Sequence, residues 1–557
     1  MKFLTTLILL FIFFNCNCQT LFDINQGLVN NEECNGCRPN SAKPNSFFIF
    51  NNSLYFTAET KETGHELWKF GTSRAILVKD IYFDADTLQS GNPSLFTKLG
   101  NEYYFAANDG MGRELWKTDG TGVGTNRIAD IYPGQPGSNP SYLTNIGNHS
   151  IYFAANSSSG IELWRTSSGI TQMIKDINPA PGKSSMPKNI IEYKGSIYFT
   201  ADDGIYGREL YRTKGSATST YLVRDINPTG ASDPDNLTLA DNCLYFSAYR
   251  PETGRELYRM DSVGNILLID INKGSGNSSP KHLLNVNNIL YFSANIFLNT
   301  VNYGRELCSH VGNTTSFGYK DLWPGSFGSN PADFTLVGST IYFAADTIGK
   351  GRELFMRNIV TKVTKSVADL EPGQASSNPK NFLSVQNNLY FTAYKSISGR
   401  EMYKTIGTAS GTIQVTDIVP GAGSSTPENL TNLNGSIYFS AQNNNAGREL
   451  WRLSIPANRA ASELGVEVLT DEISTPNYRL VPQTEGSYGL QGYSQTEEEI
   501  SIQIYTIDGK LVNTIPNIKI YENFYIGLNI PKINQIYLIQ ITQKSKNFIL
   551  KAPAFYN

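Results

Sequence analysis

Three features of the sequence predict an all-β fold: a β-propeller of about nine four-stranded blades closed by an N-terminal strand, followed by a small C-terminal β-sandwich domain. The first is a repeat. The pattern Tyr-Phe-[Ala/Ser/Thr]-Ala begins at Tyr55, Tyr104, Tyr152, Tyr198, Tyr245, Tyr291, Tyr342, Tyr390 and Tyr438, at intervals of 46 to 51 residues. The second is the content of each unit, four short apolar segments separated by turn residues with no helical period, which is the size of one propeller blade. The third lies at the ends. The ninth unit stops after Trp451 without its Asp-Ile strand, and Leu21-Phe22-Asp23-Ile24 supplies one without a unit. Donating it to the last blade removes two exposed sheet edges. A linear β-solenoid would not need such complementary ends, although nine blades exceeds the usual range of about four to eight.

Each unit opens on a proline followed by a Leu, Ile or Phe, as with Pro140 and Leu143, and proline's missing N–H suits the start of a strand. The Tyr-Phe strand comes next. Then comes Gly-x-Glu-[Leu/Met]-aromatic, as in Gly112 to Trp116 and Gly447 to Trp451, with Cys308 the one non-aromatic at the last position. An apolar strand ending in Asp-Ile or Asp-Leu follows, such as Leu222 to Ile226, and then a turn such as Pro133-Gly134 or Pro324-Gly325.

Hydrophobic residues make up 40% and charged residues 17% of the 557, which excludes bulk disorder. The net charge of -3 leaves no general basic surface for phosphates, so nucleic acid is not an expected partner. Residues 1–18 read as a secretory signal peptide: the apolar run Phe3 to Phe14 is too short to span a bilayer, and Cys16 and Cys18 are small residues near the cut. A lipid-modified cysteine is the competing reading. The expected divisions are then a propeller over 19–453, a linker over 454–470 and a C-terminal domain over 471–557, in a mature chain without a transmembrane segment and monomeric. Export permits disulfides. Cys34 and Cys37 are spaced for a small local bridge or stand as two free thiols, and Cys243 and Cys308 occupy positions that sister repeats fill with apolar residues.

The motif Glu114-Leu115-Trp116-Lys117-Thr118-Asp119-Gly120-Thr121 resembles that of the ELWxxDGT-repeat proteins of bacterial surfaces. Glu66-Leu67-Trp68, Glu162-Leu163-Trp164 and Glu449-Leu450-Trp451 share its first half. The resemblance extends over about residues 21 to 453 and implies an exported repeat protein without defined catalytic residues. Farther on, Ile500, Ile502 and Ile504 alternate with polar residues, Asp508-Gly509 marks a hairpin turn before Leu511 and Val512, and Tyr537, Ile539 and Ile541 alternate again. This segment resembles the type IX secretion system sorting domain of Bacteroidetes, which implies the secretion machinery as a partner and a secreted or outer-surface location. It departs from that pattern at Thr475-Pro476-Asn477-Tyr478 and at Gln535-Ile536.

Signals for chemistry are sparse. His65, His149, His282 and His310 lie in different repeats without metal-ligand spacing, and neither a nucleophile elbow nor a phosphate-binding loop is present. The recurring glutamates Glu66, Glu114, Glu162, Glu209, Glu256, Glu306, Glu353, Glu401 and Glu449, seven of them preceded by Arg, are expected to form a structural network of inter-blade ion pairs or hydrogen bonds, because ninefold recurrence marks what every blade needs. The aromatic positions are expected in the core, although such rings can also stack on sugars. No cofactor is expected. The acidic turns Asn108-Asp109-Gly110, Asp202-Asp203-Gly204 and Asp84-Ala85-Asp86 have oxygen ligands for calcium but lack full EF-hand spacing. A specific site is expected where units differ: His65, Ile161, the longer loop Asn295 to Tyr303, Trp323, or Cys34 to Cys37. The functional expectation is an exported, non-catalytic binding or adhesion module for a glycan or protein, not an enzyme. The alternatives are a propeller enzyme acting on polysaccharide through a carboxylate pair, and a structural envelope component.

Overall fold

In the Tyr-Phe segment every side chain is apolar or small, so the strand can be covered on both faces, and the structure buries it completely. Phe56, Phe105, Phe153, Phe199, Phe246, Phe292, Phe343, Phe391 and Phe439 are all at 0% exposure, packed between neighbouring blades. The computed structural model describes residues 19–25, 41–83, 89–455, 479–482, 488–506, 511–528, 537–543 and 546–552. The signal segment, the acidic turn at 84–86, Cys34 and Cys37, the expected linker beyond Ile455 and Asp508-Gly509 lie outside them, and Ser454, expected to open the linker, ends the last strand of the ninth blade.

Nine four-stranded antiparallel sheets follow one another along the chain. In the second blade the order is Ser94–Leu99, Glu102–Asn108, Arg113–Thr118 and Asn126–Ala129, each strand paired with the next. The first strands of successive blades lie against each other from Asn45–Phe50 to Glu428–Leu433, and the last touches the first, so the ring is closed with these strands innermost. The predicted nine-bladed propeller is the observed one.

Every inner strand carries a bulge after its first residue, as between Ser141 and Thr144. The second residue of each such strand has a left-handed backbone, from Ser46 (φ 53°) and Tyr142 (φ 55°) to His282 (φ 55°) and Asn429 (φ 58°). Four of the nine are Asn, which tolerates that region. Asn189, Asn236 and Asn381 use the conformation to donate a side-chain N–H to the carbonyl of the proline that opens the next blade.

The ring closes through the N-terminal strand. Gln19–Phe22 pairs antiparallel with Gly447–Ser454, Gln19 opposite Leu453 and Phe22 opposite Leu450. Phe22 meets the edge of Phe70 in the first blade at 4.5 Å, so this strand also joins the two blades flanking the closure.

Residues 457–557 form a separate unit. Its described strands make one five-stranded sheet in which Tyr488–Thr506 pairs with Arg479–Pro482, Leu511–Leu528 and Tyr537–Gln543, and Lys546–Ala552 lies at the far edge. The alternating Ile500, Ile502, Ile504, Ile539 and Ile541 build its core with Leu490 and Leu528.

Removing residues 1–25 uncovers the edge of Gly447–Ser454 and deprives a buried carboxylate of a donor. The expected result in calorimetry is a loss of about 3 kcal/mol, with chain association visible in light scattering. An unchanged, monomeric unfolding transition would refute the closure.

Candidate functional site

The third strand of each blade places its glutamate at 0% exposure, at the connection to the following blade. One carboxylate oxygen of every glutamate accepts the N–H of the residue after the Asp of an Asp-Ile or Asp-Leu pair: Ile81 to Glu66 at 2.9 Å, Ile177 to Glu162 at 2.9 Å, Ile271 to Glu256 at 2.8 Å, Leu322 to Glu306 at 2.9 Å. Ile131, Ile226, Leu370 and Ile418 do the same for Glu114, Glu209, Glu353 and Glu401. The other oxygen accepts an N–H from the loop leading into the next blade, as from Ser138, Ser185, Ser232, Ser278, Ser329 and Ser377 at 2.7 to 2.8 Å. The same six serines donate their hydroxyls at 2.5 to 2.6 Å. In the first blade Gly91 N–H takes the place of the serine donor to Glu66. Glu401 receives the Thr416 hydroxyl instead, at 2.7 Å.

Glu449 repeats this arrangement across the closure, holding Ile24 N–H at 3.0 Å and Ala42 N–H at 2.7 Å. The ring is thus sealed by the same device that joins its blades. None of the nine glutamates is in an ion pair among the described residues, so the network consists of hydrogen bonds. The preceding arginines act within their own blades. Their guanidinium groups donate to carbonyls beside the opening proline: Arg113 to Asn92 at 2.7 Å, Arg305 to Ser279 at 2.9 Å, Arg400 to Asn378 at 2.9 Å. The serine donors were missed in the sequence reading, yet a signal exists: seven of the nine units carry Ser-x-Pro, from Ser138-Asn139-Pro140 to Ser425-Thr426-Pro427.

The remaining candidates resolve differently. His310 is buried, with Nε2 donating to the Thr314 carbonyl at 3.0 Å and Nδ1 accepting the Tyr245 hydroxyl at 3.1 Å. His149 meets the Ser150 hydroxyl at 3.0 Å, but Ser150 is buried and cannot meet a substrate. Cys243 and Cys308 are buried free thiols. In the acidic turns Asp109 Oδ1 accepts Met111 N–H, and Asp203 accepts Ile205 and Tyr206 N–H and the Tyr211 hydroxyl, so these oxygens serve their own loops. No group of three or more His, Cys, Asp or Glu among the described residues is placed to hold a metal ion. In the sixth blade the longer loop belongs to an extended hairpin, Ile289–Leu298 with Val301–His310, and Trp323 stacks on Phe327 at 5.6 Å.

Where the inner strands begin, the ninefold pattern breaks into charge. The first residues of the nine strands are Asn45, Ser94, Ser141, Lys188, Asp235, Lys281, Ala332, Lys380 and Glu428. Between the fourth, fifth and sixth blades this end of the ring opens into a cavity of about 530 Å³. Lys188, Asp235 and Lys281 line it, with Asp233, Arg255 and Arg305. Asp233 and Asp235 flank Pro234, a pair of carboxylates that no other unit carries around its opening proline.

Neither a protein-family model nor a curated protein matches the chain. Solved structures similar to it are peptidases. A prolyl endopeptidase is 12% identical with a TM-score of 0.37, over 72% of this chain and 54% of that one. Oligopeptidase B from Leishmania major is 10% identical with a TM-score of 0.35, over 64% and 54%. The acylaminoacyl peptidase of Pyrococcus horikoshii is 8% identical with a TM-score of 0.33, over 82% and 58%. The chain spans little more than half the length of these structures, and such values assign it no activity. They do correct the sequence expectation of a non-catalytic binding or adhesion module that is not an enzyme. That expectation took a propeller without a catalytic motif as non-catalytic, whereas these similar structures are named as peptidases.

Burial outweighs the hydrogen bonds at the junctions and pushes the carboxyls of Glu66, Glu256, Glu306 and Glu449 up to about 7. A raised folded-state value means stability that is fully present below about pH 4.5 and lost as pH rises through about 7. The unfolding midpoint is therefore expected to fall over that window, with a shallower slope in Glu256→Gln. At pH 7 the same variant is expected to lose about 2 kcal/mol, because an amide N–H₂ must face the N–H and hydroxyl donors of Ile271 and Ser278. Calorimetry across pH checks both, and a midpoint that rises from pH 4.5 to 7 would overturn the assignment.

Proposed function

We propose that this chain is an exported protein of peptide processing whose propeller receives a peptide at the end of the ring where the inner strands begin. The observation that carries the reading is the cavity between the fourth and sixth blades. A peptide main chain needs donors and acceptors side by side and its termini need opposite charges. Asn236, Ser247 and Ser279 line the cavity together with two lysines and two aspartates, which meets both needs. Its size suits several residues of an extended strand, within the range of small-ligand sites. The prolyl endopeptidase and oligopeptidase B are named for action on peptides; here the cavity chemistry supports the reading.

Export to the outer surface or the medium rests on the N-terminal signal-like segment and on the resemblance of the C-terminal strands to a type IX sorting domain. The secretion machinery is then a partner through residues 471–557. Among the described residues no helix is long and apolar enough to cross a membrane.

The test is to incubate the full chain with a mixture of defined peptides and, separately, with a polysaccharide panel, and to analyse retained and released material by mass. Peptides retained or shortened are expected. Shortened polysaccharide with untouched peptides would overturn the reading and turn attention to Asp233 and Asp235 as a glycosidic carboxylate pair.

A further inference from the structure

The charges around the cavity do not balance. On the eighth and ninth blades the equivalent positions neutralise each other: Lys380 Nζ lies 4.0 Å from Glu428, which also takes Arg448 at 3.5 Å. In the seventh blade Arg352 lies 3.3 Å from Asp346. Around the cavity, by contrast, neither Lys188 nor Lys281 forms an ion pair among the described residues. Asp235, which sits at the equivalent position between them, accepts the side-chain N–H of Asn189 at 3.0 Å. Arg255 donates to the carbonyls of Asp233 at 2.8 Å and Ser232 at 3.4 Å. Arg305 donates to those of Ser293 at 3.0 Å and Ser279 at 2.9 Å. These bonds fix both guanidinium groups, but a carbonyl does not cancel their charge.

Four cations therefore line a concave space with two carboxylates, on a chain whose net charge is -3. Concave surfaces with an excess of one sign concentrate the opposite ion. The free donors are the two ammonium groups, each a mobile point charge with three N–H bonds. Both stand at the first position of an inner strand, separated by the single strand that begins with Asp235.

We infer that this cavity is a carboxylate-binding site in which Lys188 and Lys281 hold the anion, and that the carboxylate is the C-terminal one of a peptide. The second half of the inference rests on the peptide reading above. The first half does not. Asp233 and Asp235, in the same cavity, accept N–H groups farther along the peptide.

The experiment uses the full chain and two kinds of probe. Calorimetric titration with succinate tests the anion site alone, and titration with one hexapeptide as its free acid and as its C-terminal amide tests the ligand. Succinate is expected to bind with an affinity that falls as salt is raised. Lys188→Gln and Lys281→Gln are each expected to weaken it about tenfold, and the double variant to abolish it, whereas Lys380→Gln, outside the cavity, leaves it unchanged. The free-acid peptide is expected to bind at least tenfold more tightly than the amide, a preference lost in the double variant. No succinate binding, or binding indifferent to both lysines, overturns the anion site. Succinate binding that depends on the lysines, with equal affinity for acid and amide peptides, overturns the peptide carboxylate as its occupant and leaves the anion site standing.

Discussion

Each connection between blades depends on a buried carboxylate. A four-stranded sheet packed on both faces cannot stand alone, and its chain must leave the outer strand and cross to the inner strand of the next blade. That crossing exposes backbone N–H groups within a closely packed wall, where unpaired donors are costly. The glutamate of the third strand collects them. One oxygen takes the chain as it leaves the outer strand, and the other takes it as it arrives at the next blade, as with Ile177 and Ser185 on Glu162. A carboxylate suits the task because it is acceptor only, with two oxygens able to take several bonds.

The same requirement explains the closure. A ring made in sequence has one junction whose two sides lie far apart along the chain. There Glu449 is bonded to Ile24 and Ala42, more than 400 residues earlier. The donated strand therefore does more than cover an edge. It leads into the departing N–H, that of Ile24, that the ninth glutamate would otherwise lack, and Phe22 fills the space beside Phe70. Circular closure and blade-to-blade connection are one interaction used nine times.

Once the wall is uniform, function has room only where the units depart from one another. The aromatics, glutamates and arginines are committed to packing and junctions, which removes most of the chemically suggestive residues from consideration. What remains is the first position of the inner strands. It begins the strand before the bulge and follows the fixed proline, and it is free to vary. Neutral residues occupy it in the first three blades, a neutralised pair in the last two, and Lys188, Asp235 and Lys281 in the fourth to sixth.

The blades, their number and the closing strand were legible in the sequence because each is encoded locally. Burial on two faces demands the continuous apolar Tyr-Phe segment, the turns demand Gly and Pro, and an unpaired Asp-Ile strand at one end answers a missing one at the other. The Ser-x-Pro donors were equally local but read as mere turns, since a hydroxyl's partner is invisible until the glutamate about 23 residues earlier is seen to fold back onto it. The cavity was not legible, because Lys188, Asp235 and Lys281 stand about one blade apart along the chain. They become neighbours only when the inner strands lie side by side around the axis. Local pattern determined the wall of the ring, and its curvature decided which charges meet.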